Sequence, residues 1–202
     1  MILRGFFATL VLISLGGCAA LTSVNDASVE LDAFTLAPLA VVETQLRPVH
    51  LVVQLPTSSG ALATDRILIK PSVLQAQYLP DGRWTDPAPV LVQTLLLASL
   101  QNAGGFQLVD RDGGGLLPDF TLMTELQDFQ AEPTGPESPV TVRLRVAVTL
   151  IRESDLSIAA SRQFSATAVA ATDDTLALIV AFDTAMRSVL GDVVGWTRAQ
   201  AD

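Results

Sequence analysis

The chain has 202 residues, half of them hydrophobic, which suffices for one well-buried core and is short for two. Acidic residues outnumber basic ones by 21 to 12, and Lys70 is the only lysine. Without a basic stripe the chain is unsuited to nucleic acid. It also lacks the clustered cations that electrostatic docking on anionic lipid headgroups requires.

The N-terminus, MILRGFFATLVLISLGGCAAL, has the pattern of a secretory signal peptide. Arg4 supplies the positive start, and the apolar run over about residues 6–15 is too short to span a bilayer comfortably. The run ends in LGGC, residues 15–18, which resembles the lipobox of bacterial lipoproteins. That resemblance implies removal of residues 1–17 and acylation of Cys18, with palmitate among the acyl groups.

Three observations favour acylation of Cys18 over an ordinary cleaved signal peptide or an uncleaved anchor: the positive charge, the apolar length and the four-residue motif. Cys18 is the only cysteine, so no disulfide forms within the chain although the secretory route leads to an oxidising compartment. Two or three acyl chains anchor a protein stably, because each buried CH₂ adds about 0.8 kcal/mol. Ala19 follows the cysteine; by resemblance to the sorting rule of enteric bacteria, the absence of Asp there indicates the outer membrane, facing the periplasm.

Residues 19–30 are small and polar, so residues 18–30 are predicted to be the lipidated cysteine with its tether and residues 31–198 the folded domain. Alternation of apolar and polar residues predicts the strands. It is clearest over residues 140–151, where Arg143 and Arg145 lie on the polar face, as expected for a sheet with one wet face. The predicted strands lie at 34–39, 49–55, 66–70, 73–79, 106–110, 119–129, 140–151 and 157–170.

Two amphipathic helices are predicted. The first begins with Asp86 as N-cap and Pro87 as first helical residue, after a turn at Pro80-Asp81-Gly82, and ends near residue 102. The second runs from about 175 to 198, with Asp173 and Asp174 at its start and one apolar stripe along it. The predicted fold is therefore α+β, a mostly antiparallel sheet with two amphipathic helices packed on it, preceded by a lipoprotein signal peptide.

No set of residues in the sequence has the pattern of a catalytic or metal site. His50 is the only histidine and sits on the polar phase of a strand, which favours a structural role over catalysis. The acidic residues around the glycine loop at 111–115 lack the spacing of a calcium loop, so a solvated loop is expected. Arg143 and Arg145, with Arg162 on the partner strand, are expected to make cross-strand pairs to Glu or Asp rather than to bind an acidic ligand. We expect no enzyme, no cofactor and no metal.

Residues 65–106, DRILIKPSVLQAQYLPDGRWTDPAPVLVQTLLLASLQNAGGF, resemble the signature region of the ABC-type transport auxiliary lipoprotein family. In that family strands ending near a tyrosine lead to a tryptophan and then to a Pro-capped helix with leucines at every fourth position. Here the tyrosine is Tyr78 and the tryptophan Trp84, which are expected to brace the joint between strand and helix, or to contact a partner if exposed. FTLAPL at 34–39 resembles the opening strand of the family, with Phe34 where tyrosine is commoner.

The resemblance implies a non-enzymatic, membrane-anchored periplasmic lipoprotein. It implies that such a protein works with a mammalian-cell-entry-domain protein and, through it, a permease and an ATPase that move phospholipid or other hydrophobic substrates between the inner and outer membranes. The position that the family's chemistry carries over is the lipidated cysteine, Cys18. Two other functions stay open from the sequence: a stand-alone module that binds lipid between helices and sheet, and a structural envelope lipoprotein.

Overall fold

The structure is a computed structural model that describes residues 31–133, 135 and 139–201. Cys18, the signal peptide and the tether lie outside the described residues. Within the described residues the strands are β1 Asp32–Phe34, β2 His50–Val53, β3 Thr57–Ser58, β4 Arg66–Ser72, β5 Gln75–Trp84, β6 Leu108–Asp110, β7 Phe120–Glu132, β8 Thr141–Arg152 and β9 Ser157–Val169. The helices are α1 Ala88–Ala103 and α2 Thr175–Gln200.

The sheet is organised around β7. Along one edge β7 pairs over its whole length with β8, which pairs in turn with β9, both in antiparallel fashion. Along the other edge it pairs in parallel fashion with β2, then β3, then β4. Strand β6 extends the sheet beyond β2, and β5 and β1 extend it beyond β4. The predicted α+β fold with two helices is confirmed; the sheet is mixed, with its two longest ladders antiparallel.

Strand β8 shows why the sheet has two different faces. Its apolar residues Val142, Leu144 and Val146 are buried, and helix α2 packs against β8 and β9. Arg143 and Arg145 alternate with them and lie on the opposite face. Because side chains on a strand alternate, this one pattern places the core on one side and charged groups on the other. The prediction of one wet face is confirmed.

Helix α1 begins differently from the prediction. Pro87, not Asp86, is the N-cap residue, and no side chain caps the helix. The physical reason is that few N–H groups need a cap there: the Ala88 N–H donates to the Thr64 carbonyl at 3.0 Å, and Pro89 has no N–H. Helix α2 begins as predicted, because a carboxylate oxygen of Asp174 accepts from the Ala177 N–H at 2.9 Å.

The predicted turn at Pro80-Asp81-Gly82 is wrong, because β5 continues through it. Between the pairs Arg66–Arg83 and Leu68–Tyr78, β5 has four residues, Leu79–Gly82, and β4 has only one. The segment is thus a bulge, whose residues need not donate to the ladder, and this suits proline. A Cβ at Gly82 would lie 3.0 Å from the Phe34 ring, so a larger residue there would require the ring to shift.

The segment after β1 is not the strand predicted for residues 34–39. Strand β1 ends at Phe34, and the chain then contacts both helices. The Ala37 N–H donates to Asp183 on α2 at 2.9 Å, and the Leu39 N–H donates to the buried Ser99 hydroxyl on α1 at 3.1 Å. Helix side chains therefore satisfy backbone groups that a neighbouring strand would otherwise satisfy, which alternation alone does not reveal.

Candidate functional site

His50 holds strand ends together. Its side chain is 11% exposed, and Nε2 lies 3.4 Å from an Asp110 carboxylate oxygen without forming an aligned hydrogen bond. Its backbone N–H donates to the Asp119 carboxylate at 2.8 Å. Over the part of the chain that the structure describes, no three His, Cys, Asp or Glu residues are grouped to hold a metal ion. These contacts fit the predicted structural role.

The arginines on the open face of the sheet are paired with carboxylates of β7. Arg145 Nε lies 2.8 Å from Asp128 Oδ2, and Arg143 lies 3.0 Å from both carboxylate oxygens of Glu132. The Arg143 hydrogen bond lowers the pKa of Glu132, and Glu132 in turn raises the pKa of Arg143. The predicted cross-strand pairs are confirmed, and because the charges neutralise each other pairwise they do not converge on a ligand.

Arg162 does not join that network. It lies across from Val148 on β8, and its guanidinium carbon is 5.2 Å from the centre of the Phe164 ring. The open face instead gains Lys70 from β4, which lines a groove of about 580 Å³ together with both ion pairs. Among the charged residues of this groove three are basic and two acidic, so Lys70 is the surplus cation.

The two aromatic residues of the predicted signature, Trp84 and Tyr78, differ in burial. Trp84 is 1% exposed and its ring packs 5.2 Å from Phe129 and 5.1 Å from Phe182, centre to centre. Tyr78 is 40% exposed; its hydroxyl donates to the Ala61 carbonyl at 3.3 Å, and the Arg66 guanidinium lies 5.8 Å from the ring centre. Trp84 is therefore a core residue, whereas Tyr78 is the one of the two that a partner could touch.

The first exposed apolar surface lies at the end of the sheet where β7 starts. It is formed by Leu116 and Leu117 in the loop before β7 and by Leu156 in the turn after β8, and we call it the loop-end patch. Leu117 is 96% exposed and Leu156 77%. A groove of about 570 Å³ runs between the two loops.

Leu156, in the loop-end patch, has an unfavourable backbone conformation. Its φ of +55° is left-handed, which costs a non-glycine residue about 1–2 kcal/mol, so the turn holds an exposed leucine where glycine would be easier. Sequence analysis missed the patch. The available signal was a pair of leucines, LLP at residues 116–118, in an otherwise polar loop.

The second exposed apolar surface is the turn between β4 and β5, formed by Val73 and Leu74, which we call the hairpin tip. Leu74 is 96% exposed and Val73 nearly as much. Sequence analysis placed both residues in a strand at 73–79, but they form the actual turn of this hairpin. Strand β4 runs parallel to β7 and pairs near its C-terminal end, so the hairpin tip extends beyond that end. The two surfaces are thus separated by the 13 residues of β7, roughly 40 Å.

Comparison with known proteins identifies a family that matches the chain and a protein of similar sequence. Residues 34–194 match the model of a family described as the ABC-type transport auxiliary lipoprotein component. An uncharacterized protein of Bradyrhizobium diazoefficiens is 26% identical over 142 residues, which cover 70% of this chain and 37% of that protein. The chain therefore spans well under half the length of this relative.

Two solved structures share the fold. Protein XCC0632 from Xanthomonas campestris superposes with a TM-score of 0.75 at 22% identity, covering 84% of this chain and 95% of that one. The hypothetical protein CT253 from Chlamydia trachomatis does so with a TM-score of 0.54 at 8% identity, covering 77% and 98%. At these identities the likeness concerns the fold alone. Within the described residues no helix is long and apolar enough to cross a membrane.

Proposed function

The chain belongs to the ABC-type transport auxiliary lipoprotein family, as residues 65–106 predicted, and from that premise we propose that it is a lipid-anchored auxiliary subunit of a mammalian-cell-entry-type transport system. In this role it contacts the mammalian-cell-entry-domain protein and, through it, the permease and the ATPase. The system moves phospholipid or another hydrophobic substrate between the inner and outer membranes. The family match is the observation that carries the proposal, and we propose that the contribution of this subunit is protein contact, without catalysis.

The anchor in this proposal is acylated Cys18, in the outer membrane and facing the periplasm. Its support is the LGGC motif after a short apolar run, with Ala19 next in the sequence. Cys18→Ser is expected to leave residues 1–17 attached and to abolish labelling by radioactive palmitate, whereas the parent chain is shortened and labelled. Palmitate labelling of the serine variant at the level of the parent would refute the anchor.

The contact in this proposal is the loop-end patch. Leucines exposed on two neighbouring loops stabilise a complex when a partner covers them, by up to about 1.5–3 kcal/mol for each fully buried side chain. The loops around them, residues 110–119 and 152–156, contain five acidic and two basic residues. Such a surface suits a protein partner with apolar and basic side chains and disfavours an anionic lipid surface.

A comparison of three full-length chains tests the contact. The parent, the variant Leu116→Ser/Leu117→Ser/Leu156→Ser and the control Val73→Ser/Leu74→Ser are each captured from membranes in mild detergent, and the co-purifying proteins are identified by mass spectrometry. The mammalian-cell-entry protein of the same system is expected with the parent and the control and is expected to be lost, by about tenfold or more, from the loop-end variant. Its absence from the parent sample would contradict the proposed function.

Tyr78 serves as a second control. It lies on the hairpin at the other end of the sheet, and its hydroxyl and ring already contact Ala61 and Arg66. We therefore propose that Tyr78 braces the hairpin rather than contacts the partner. Tyr78→Phe removes only the hydroxyl and is expected to leave capture unchanged; a loss as large as that of the loop-end variant would move the contact to the hairpin.

A further inference from the structure

The hairpin tip is an unusual place for large aliphatic side chains. Turn residues are commonly Gly, Pro, Asn, Asp or Ser, because these adopt the turn conformation or bond its backbone. Here the two turn residues are Val73 and Leu74, and both project almost completely from the protein surface. Two adjacent aliphatic side chains at the extremity of a hairpin form a small wedge that is stabilised only when something apolar covers it.

The direction of β1 relative to the hairpin tip follows from its pairing with β5. Strand β1 pairs with β5 in parallel, Asp32 opposite Gly82 and Phe34 opposite Trp84. Because β5 runs away from the hairpin tip, β1 does too, and the chain enters β1 from the side of the tip.

The tether is long enough for Cys18 to reach the level of the tip. The pair Arg66–Arg83 lies beside β1, at the C-terminal end of β5. From Arg66 to Ser72, next to the tip, β4 advances six residue steps, about 20 Å. Fourteen residues lead from Cys18 to Asp32. They span at most roughly 50 Å when fully extended, more than the distance required.

The charges of the hairpin segment itself differ from those of the rest of the chain, while Asp128 and Glu132 of β7, each paired with an arginine, share a groove with Lys70. Residues 66–80 contain Arg66 and Lys70 and no acidic residue, in a chain whose net charge is −9. Lys70, the only lysine, lines one shallow groove of about 260 Å³ together with Val73 and Leu74. A lysine next to exposed aliphatic side chains can keep its ammonium group among phosphates while its stem lies along apolar surface.

We propose that the hairpin tip inserts Val73 and Leu74 into the phospholipid bilayer that holds acylated Cys18, with Lys70 at the lipid phosphates. Two side chains reach only the boundary between headgroups and acyl chains. The insertion is apolar and needs one cation, so it does not require the basic cluster that the chain lacks. With the tip inserted, β7 runs away from the membrane surface, and the loop-end patch at its other end lies roughly 40 Å from the membrane. This inference rests on the anchor of the proposed function.

A single introduced thiol tests the insertion. In the acylated chain the Cys18 sulfur is consumed, so Leu74→Cys carries the only free thiol, and Leu117→Cys, equally exposed at the opposite end, is the matched control. Each full-length lipidated variant is reconstituted into vesicles of phosphatidylethanolamine with a minor fraction of phosphatidylglycerol and labelled with an environment-sensitive fluorophore. Quenching by doxyl-labelled lipids and by aqueous iodide then locates each label.

The expected result is a blue-shifted label at position 74 that doxyl lipids quench several-fold more than the label at position 117, with the opposite order for iodide. Equal quenching at the two positions, or a label at 74 that neither agent reaches because another protein copy covers it, would overturn the proposal. Failure of the anchor is distinguishable: the parent chain would then take up the label at Cys18 or fail to float with the vesicles, and the insertion proposal would fall with it.

Discussion

Replacing Trp84 tests whether the family signature is a piece of the core. Trp84 of β5 is almost fully buried between Phe129 of β7 and Phe182 of α2. The rings of Phe129 and Phe182 are themselves 5.1 Å apart, centre to centre. Trp84→Ala removes the side chain that joins the bulged strand to the long helix. We expect the fold to persist with a large loss of stability.

The size of the loss follows from the buried area and the aromatic pairs. A buried aromatic side chain removes 150–250 Å² from water, which at about 25 cal/mol per Å² corresponds to roughly 4–6 kcal/mol as an upper estimate. Measured aromatic-to-alanine substitutions in cores cost about 3–5 kcal/mol. We expect about 3–5 kcal/mol for Trp84→Ala and clearly less for Trp84→Phe, which keeps a ring between Phe129 and Phe182.

The assay is urea unfolding of the full-length chain in a mild non-ionic detergent, followed by far-ultraviolet circular dichroism. Tyr78→Ala is the matched control: its side chain is half exposed and makes one hydrogen bond and one cation–π contact, so the expected cost is about 1 kcal/mol or less. A cost below about 1 kcal/mol for Trp84→Ala, or equal costs for the two variants, would refute the assignment of Trp84 to the core and Tyr78 to the surface.

Three further predictions concern stability. Since the Arg143 hydrogen bond depresses the folded-state pKa of Glu132 below 4.5, the stability of this pair is present above the unfolded-state pKa and is lost as the pH falls through the folded-state value. Glu132→Gln should therefore cost about 1 kcal/mol or less at neutral pH in urea unfolding, and a cost that stays undiminished as the pH falls from 4.5 through the lower folded-state pKa would contradict the ion pair. Gly105→Ala should cost about 1–2 kcal/mol, because φ is +91° and a Cβ would lie 2.9 Å from Arg198 Nε; a neutral effect would contradict this geometry. Gly191→Ala, at an open position inside α2, should instead raise the thermal unfolding midpoint by stabilising the helix about 0.5–1 kcal/mol, and a lowered midpoint would show hidden crowding there.

The elements that the sequence predicts well are those whose pattern has one physical cause. In β8 the apolar residues at every second position from Val142 to Leu150 are buried and Arg143 and Arg145 between them are exposed, so a period of two is visible without any knowledge of partners. In α2 the stripe from Ile179 to Val193 is buried and Asp174 caps the start, so both the face and the first turn can be predicted.

The wrong predictions concern residue types that favour one structure but also occur in another. Proline, aspartate and glycine favour a turn, but residues 80–82 form a bulge because β1 arrives from far along the chain and pairs with β5. Val73 favours a strand by propensity and yet lies in the turn. Long-range pairing with β1 accompanies the first case and the register of the β4–β5 hairpin decides the second, and a single sequence displays neither.

The loop-end patch was even less accessible to sequence reasoning. Leu117 and Leu156 lie 39 residues apart in the chain and meet across one groove only because β7 and β8 pair in register, Phe120 opposite Arg152. A single leucine in a polar loop is ordinary. It acquires significance when the sheet places a second exposed leucine beside it, which only the fold reveals.

The central claim, a lipoprotein that works through contact with a transport partner at its loop end, is tested most directly by photo-crosslinking in intact cells. A photoreactive phenylalanine analogue is placed at position 117 in one strain and at position 74 in another, two sites of equal exposure. The account predicts an adduct with the mammalian-cell-entry-domain protein from position 117 and none from position 74. No such adduct from position 117, or one from position 74 alone, would contradict it.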